Sequence, residues 1–310
     1  MGVNMTKKLL KVWRRDWQFY AMMVLPLAYI VIFAYVPMTG LQIAFRKYTA
    51  VGGIWNSQWV GFKNFAKFFS SYQFERVVSN TVIISLYSIV VGTVFPIAFA
   101  LLINTIDSVR FRKVSQTIVN LPHFISTVVL VGMLMQIFNS RTGIYGAVYR
   151  SMTGEYPNDL FGQLGTFRHM YVWSGVWQNF GWNSIIYIAA LTNADPQLHE
   201  AAQIDGATRL QRVFHVDLPQ IRPTIMILLI MSIGKIMSVG FEKAYMMQNS
   251  LNLEHSELIS TYVYRIGLSG TQKSDFSYAT AIDLFNSVIN LVLVMGANYV
   301  SRKTSDAGLW

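Results

Sequence analysis

Apolar runs of about 20 residues recur from one end of this chain to the other, and a run of that length is what an α-helix needs to cross a bilayer. They cover roughly residues 19–38, 81–106, 119–138, 170–191, 223–241 and 278–300. Only 13% of the 310 residues are charged and the mean hydropathy is +0.37, too little polar surface for a soluble protein of this size. The fold class that follows is an all-α integral membrane protein of about six transmembrane helices, in one membrane domain over residues 19–300. No internal repeat or low-complexity tract divides it.

Charge sets the expected topology. Lys7, Lys8, Lys11, Arg14 and Arg15 precede the first run, and Leu9, Leu10, Trp13, Trp17 and Tyr20 recur opposite them at helical spacing. Residues 1–18 therefore read as an amphipathic helix lying in the cytoplasmic interface rather than as a cleaved signal. With both termini cytoplasmic, including a tail over 301–310, the inside segments hold 13 Lys and Arg in 71 residues, against 11 in 109 outside. The density bias favours this orientation. The net charge of +10 then reads as contact with anionic lipid, with no nucleic-acid partner.

Catalytic and metal chemistry find little support. The chain has no cysteine, and its five histidines are scattered without a shared helical face, so no metal site is expected. No catalytic residue is assigned, because no nucleophile–base pair or paired intramembrane carboxylate stands out.

The most informative stretch is polar. Residues 193–224 read NADPQLHEAAQIDGATRLQRVFHVDLPQIRPT, within a loop over 192–222. Asp195 can cap a helix that Pro196 opens, and Asp205-Gly206 can end it near Ile204, glycine taking the positive φ. A second helix should start at Ala207 and stop at Leu218-Pro219 before Arg222-Pro223 opens the next span.

Residues 200–219 resemble the EAA loop of binding-protein-dependent ABC importer permeases: EAA, three residues, Gly, nine residues, an aliphatic residue, any residue, Leu-Pro. Glu200, Ala201, Ala202, Gly206, Val216, Leu218 and Pro219 fill every position. The stretches DWQFYAMMVLPLAYIVIFAYVPMTGLQIAFRKY, IVNLPHFIS and NYVSRKTSDAGLW extend the likeness over most of the chain, toward permeases for polysaccharides and complex oligosaccharides. The resemblance implies a cytoplasmic coupling helix, with Glu200, Ala201, Ala202, Asp205, Gly206, Leu218 and Pro219 at the ATPase contact. It also implies a second homologous permease forming a heterodimer, two ATPase subunits carrying ATP and Mg, and an extracytoplasmic solute-binding protein in a bacterial cell membrane. The chain itself has no GxxxxGK[ST] P-loop.

Sugar transit calls for hydrogen-bonding groups and aromatic surfaces inside the spans. Candidates are Trp173, Trp177, Gln178 and Asn179 in the fourth run, where interfacial anchoring also explains the tryptophans. In the fifth, Lys235, Ser238 and Glu242 share a helical face; in the sixth, Asp283, Asn286 and Asn290 do. Lys235 and Asp283 are expected to pair, and contacts to neighbouring helices would explain the same residues as well as substrate does. The aromatic loop over 39–80, with Trp55, Trp59, Phe62, Phe65, Phe68 and Phe69, should fold back onto the membrane surface or a partner. An ABC permease for a non-sugar solute, a secondary transporter and a membrane enzyme are the competing readings.

Overall fold

A computed structural model describes residues 15–193, 195–269 and 274–305. Most of the interfacial helix expected over 1–18 and the end of the tail lie outside those residues. Among the described residues the fold is all-α apart from one two-stranded hairpin, and four helical stretches are long and apolar enough to cross a membrane, or five if one bent pair counts as a single span.

The first, α1 (Trp17–Ile30), continues through a π-turn over Val31–Tyr35 into Val36–Met38, and none of its residues is buried. Pro37 explains the turn. Its ring would press on the carbonyl four residues back, and widening the helix there relieves the clash.

The aromatic loop packs against its own chain. Strands β1 (Arg46–Thr49) and β2 (Ser57–Trp59) pair antiparallel, and helix α2 (Lys63–Phe69) follows. Phe45 stacks on Trp59 at 5.5 Å between centroids and meets Phe62 edge-on. Phe68 is buried against Phe74, Tyr278 and Phe285. Phe68 thus ties the loop to the last helix, α13 (Phe276–Ser305), while Trp55, Trp59, Phe62 and Phe69 stay exposed.

Helix α3 (Tyr72–Asn104) starts at Ser71, whose side chain accepts from the Gln73 N–H. The expected third span is not one straight helix: α4 (Val109–Asn120) and α5 (Thr127–Ile137) belong to arms that meet at 94°. Pro122 lies in a 3₁₀ turn at the corner and Ser126 caps α5 through the Val129 N–H, so the chain stops and restarts. After α6 (Ile144–Thr153), helix α7 (Thr166–Thr192) packs along α3. Its 27 residues extend about 40 Å. The core between them gathers Ile84, Val131, Phe167, Val172, Met247 and Leu258.

The fifth run departs most from expectation. Helix α10 (Leu218–Ile233) ends near Gly234, and the chain stays irregular until α11 (Phe241–Met247); α8 (Pro196–Ile204) and α9 (Arg209–Arg212) belong to the loop before α10. Gly234 lies against the Val294 side chain, which a Cβ would strike. The opened backbone is satisfied from neighbouring helices, as an apolar environment demands. The Met237 N–H donates to Asn290 Oδ1 at 3.0 Å, Asn290 Nδ2 donates to Ser238 Oγ at 2.8 Å, and Ser85 donates to the Ile236 carbonyl. Because the helix is broken here, Lys235, Ser238 and Glu242 do not share a helical face. Beyond α11, α12 (Ile259–Gly267) is anchored by Glu257, 1% exposed, which pairs with both Arg76 and Arg265.

Asn290→Leu should therefore destabilise the protein by about 1–3 kcal/mol, the cost of leaving a buried backbone donor unmet. Ser238→Ala, which leaves the Met237 bond in place, should cost about 1 kcal/mol or less. Thermal unfolding in detergent measures both, and equal effects would refute the assignment.

Candidate functional site

The polar loop folds into the two-helix turn that its sequence predicts, with one difference. Helix α8 (Pro196–Ile204) is capped by Asp195, whose carboxylate accepts from the Gln197 N–H at 2.9 Å. Gly206 takes φ +78°. The Ala207 N–H then reaches back to the Ala202 carbonyl at 2.9 Å and the Gly206 N–H to the Gln203 carbonyl at 3.1 Å, the pair of bonds that closes a Schellman turn. Thr208 and Gln211 cap each other reciprocally to start α9 (Arg209–Arg212).

The difference lies at Leu218-Pro219. No stop occurs: a π-turn over Val213–Asp217 carries α9 directly into α10. The turn widens the helix just ahead of Pro219, as another does before Pro37, so the ring is accommodated within the helix.

Most of α8 stands clear of the body. Glu200, Ala201, Asp205 and Gly206 are exposed, Ala202 partly so, and Ile204 is 86% exposed. Leu198, Leu210 and Phe214 add exposed apolar surface around them. Small residues and loose aliphatics on one projecting helix suit close docking against another protein. Leu218 instead turns inward toward a core formed by Ala100, Tyr187, Leu191 and Ile221, while Pro219 remains exposed.

No local motif announces how this helix is held. His199 on α8 reaches Asp217, in the π-turn, at 3.1 Å, and Asn104 at the end of α3 donates to the same carboxylate at 3.1 Å. Asp217 is only 2% exposed. Arg209 adds a second tie, to Asp107 at 2.8 Å and to the Thr105 carbonyl. The loop is thereby fastened to α3 and α10 at once. The residues were visible, but only the π-turn and the end of α3 bring them together.

Within the bundle, two cavities of about 290 and 200 Å³ adjoin, both bordered by Gly92 and Asn183. Gln178 and Asn179 line the first and Lys235 the second. Gln178 also donates to the Ile125 carbonyl at 2.7 Å, and Asn179 contacts His123 at 3.0 Å. Trp173 and Trp177 face the opposite way, into an apolar cavity of about 450 Å³ shared with α5. Ser238, Glu242, Asp283, Asn286 and Asn290 line neither polar cavity. Asn290 and Ser238 serve the broken helix, and Asn286 is buried in α13. The expected Lys235–Asp283 pair does not form among the described residues, since the break turns Lys235 toward α3 and α7. Lys243, which sequence reasoning passed over, lines the larger cavity.

A bundle of apolar helices around an amide-bordered cavity, with an exposed helix-turn-helix projecting from it, has the build of a membrane permease. Residues 83–306 match the family described as the binding-protein-dependent transport system inner membrane component, and the chain belongs to that family. It is 37% identical to protein LplB of Bacillus subtilis (strain 168) over 96% of this chain and 92% of that one. It is 38% identical to the polygalacturonan/rhamnogalacturonan transport system permease protein YteP of the same organism, covering 93% and 89%. A crystal structure of a bacterial alginate ABC transporter in complex with an alginate pentasaccharide-bound periplasmic protein contains a chain that superposes with TM-score 0.89 at 38% identity, covering 97% of this chain and 100% of that one.

If the His199–Asp217–Asn104 cluster fastens the loop, Asp217→Ala should destabilise the loop by about 1–3 kcal/mol, the cost of losing hydrogen bonds to a buried carboxylate. Asp217→Asn should lose less. Limited proteolysis at residues 193–208 reads this out: faster cleavage is expected in Asp217→Ala and His199→Ala, and wild-type rates in both would exclude the tie.

Proposed function

We propose that this chain is one permease subunit of an ATP-driven, binding-protein-dependent importer of oligosaccharides or polysaccharides, coupling closure of an ATPase to alternating access. The exposed α8 turn carries the coupling role. It combines small residues at Ala201 and Ala202 with a glycine-set angle, and it is tied to α3, which borders the cavities at Ser88, Gly92 and Thr93. Displacement of a docked α8 would thus be felt at the pathway. The full-length likeness to a polygalacturonan/rhamnogalacturonan permease and to a chain of an alginate transporter supports a sugar cargo, as does a cavity lined by amides suited to hydroxyl groups.

The remaining subunits follow from the same reading. ATP and Mg bind on two separate ATPase subunits docked at α8, so that loop is cytoplasmic, and we read both termini as lying on the same side. A second, homologous permease completes a heterodimer, and the absence of any buried residue in α1 leaves that helix free for lipid and the partner to cover. A solute-binding protein delivers cargo to the opposite face. The assembly sits in a bacterial inner or plasma membrane.

Gly206→Val tests the coupling role cleanly, because a Cβ at Gly206 meets nothing within 4 Å and only the backbone angle is disturbed. Left-handed backbone costs an L-residue roughly 1–2 kcal/mol, more for a β-branched one. Binding-protein-stimulated ATP hydrolysis and transport should fall together while the protein stays in the membrane. Glu200→Ala and Glu200→Gln, scored by ATPase copurification, separate a buried interface charge worth about 3–5 kcal/mol from an exposed one worth about 0–1. Wild-type coupling in Gly206→Val would remove α8 as the coupling element.

A further inference from the structure

The two adjoining cavities are each lined by one lysine and by no carboxylate residue. Lys243 is 9% exposed; its Nζ donates to the Tyr171 carbonyl at 2.7 Å and lies 4.7 Å from the centroid of the Tyr171 ring. An ammonium has three donors, and the carbonyl takes one. Lys235 lines the neighbouring cavity with Thr93, Asn183 and Ser232. Among the described residues neither lysine makes a salt bridge. The acids that could neutralise them are placed elsewhere. Asp217 is held by His199 and Asn104, Glu257 by Arg76 and Arg265, while Glu242 and Asp283 are exposed and border neither cavity.

A cation inside a helical membrane bundle is costly without a counter-ion, and where the chain supplies none, a passing anion can. We propose that Lys243 and Lys235 are successive carboxylate-reading positions along the pathway, so that the cargo is an oligosaccharide bearing uronate groups. This deepens the reading of the chain as an oligosaccharide permease and rests on it. The Asn183 amide, on the border that both cavities share, is placed to address sugar hydroxyls, whereas Gln178 and Asn179 already bond to the Ile125 carbonyl and to His123. Lysine suits a moving cargo better than arginine would. It offers a compact point charge on a flexible stem rather than a planar fork that grips a carboxylate with two parallel bonds. Two such positions in sequence allow a carboxylate to leave one cation as it approaches the next, the condition for passage rather than trapping.

The test uses the whole importer, with its ATPases, second permease and binding protein, reconstituted in proteoliposomes. The probes are a mixture of uronate oligosaccharides prepared from alginate and polygalacturonate, and the same mixture with its carboxyl groups reduced to alcohols. Wild type should accumulate the acidic mixture. Lys235→Gln and Lys243→Gln should each lower that uptake about tenfold, the order of one charge-assisted contact, and Lys→Arg at either position should restore part of it. The same binding protein serves every variant, so its own preference cancels in the ratio of variant to wild type. Uptake of only the reduced mixture would overturn the proposal while leaving the oligosaccharide reading intact; uptake of neither would overturn both. Loss of the second permease from purified Lys235→Gln or Lys243→Gln complexes would also overturn it, by showing that the counter-ion is a carboxylate of that subunit.

Discussion

A backbone amide in hydrocarbon has no water to turn to, and the widest opening of a helix in this bundle is answered by named side chains. The largest departure is the opening between α10 and α11, where Asn290 receives one freed N–H and donates to Ser238, and Ser85 covers a freed carbonyl. The functional arrangement depends on that repair. Had the helix continued through residue 241, Lys235 would sit on a regular face with Ser238 and Glu242; the break instead delivers it to the cavity beside Asn183.

The projecting loop obeys a different requirement. A short exposed helix gains little stability by itself, so its shape comes from local chemistry: an aspartate cap, a left-handed glycine, a reciprocal Thr208–Gln211 cap. Its position comes from buried charge at Asp217. Shape and position are thus specified separately, which lets a surface remain open for a partner while its base stays fixed to α3 and α10.

Both the class and the loop were legible in the sequence because their signals are local. Twenty-residue apolar runs announce spans, and Asp195 and Gly206 occupy positions that short-range stereochemistry requires, whereas the stop expected at Leu218-Pro219 is overridden by the π-turn ahead of it. What escaped were features set by long-range packing. Pro122 and Ser126 marked the 94° corner, yet the apolar run continues across both and hides it. The break after Ile233 depends on Gly234 meeting Val294, and on Asn290, some 50 residues away. The face of α7 that meets the cavity could not be told from the face carrying Trp173 and Trp177, since both mix polar and aromatic residues. Lys243 carries no sequence signal, because its burial and its hydrogen bond to the Tyr171 carbonyl arise only from the fold.

The π-turn over Val213–Asp217 also resets the angular count of the helix that contains it. Eight residues of uninterrupted α-helix would place Val213 and Ile221 about 80° apart around the axis, whereas one extra residue in a turn reduces the offset to about 20°. Val213, Asp217 and Ile221 are all buried, a row that a regular wheel would splay. Deleting one residue from that turn would leave the composition of the helix nearly unchanged, yet rotate everything before it relative to everything after it. The loop would then be aimed about 100° away from its present direction, with every cap still intact.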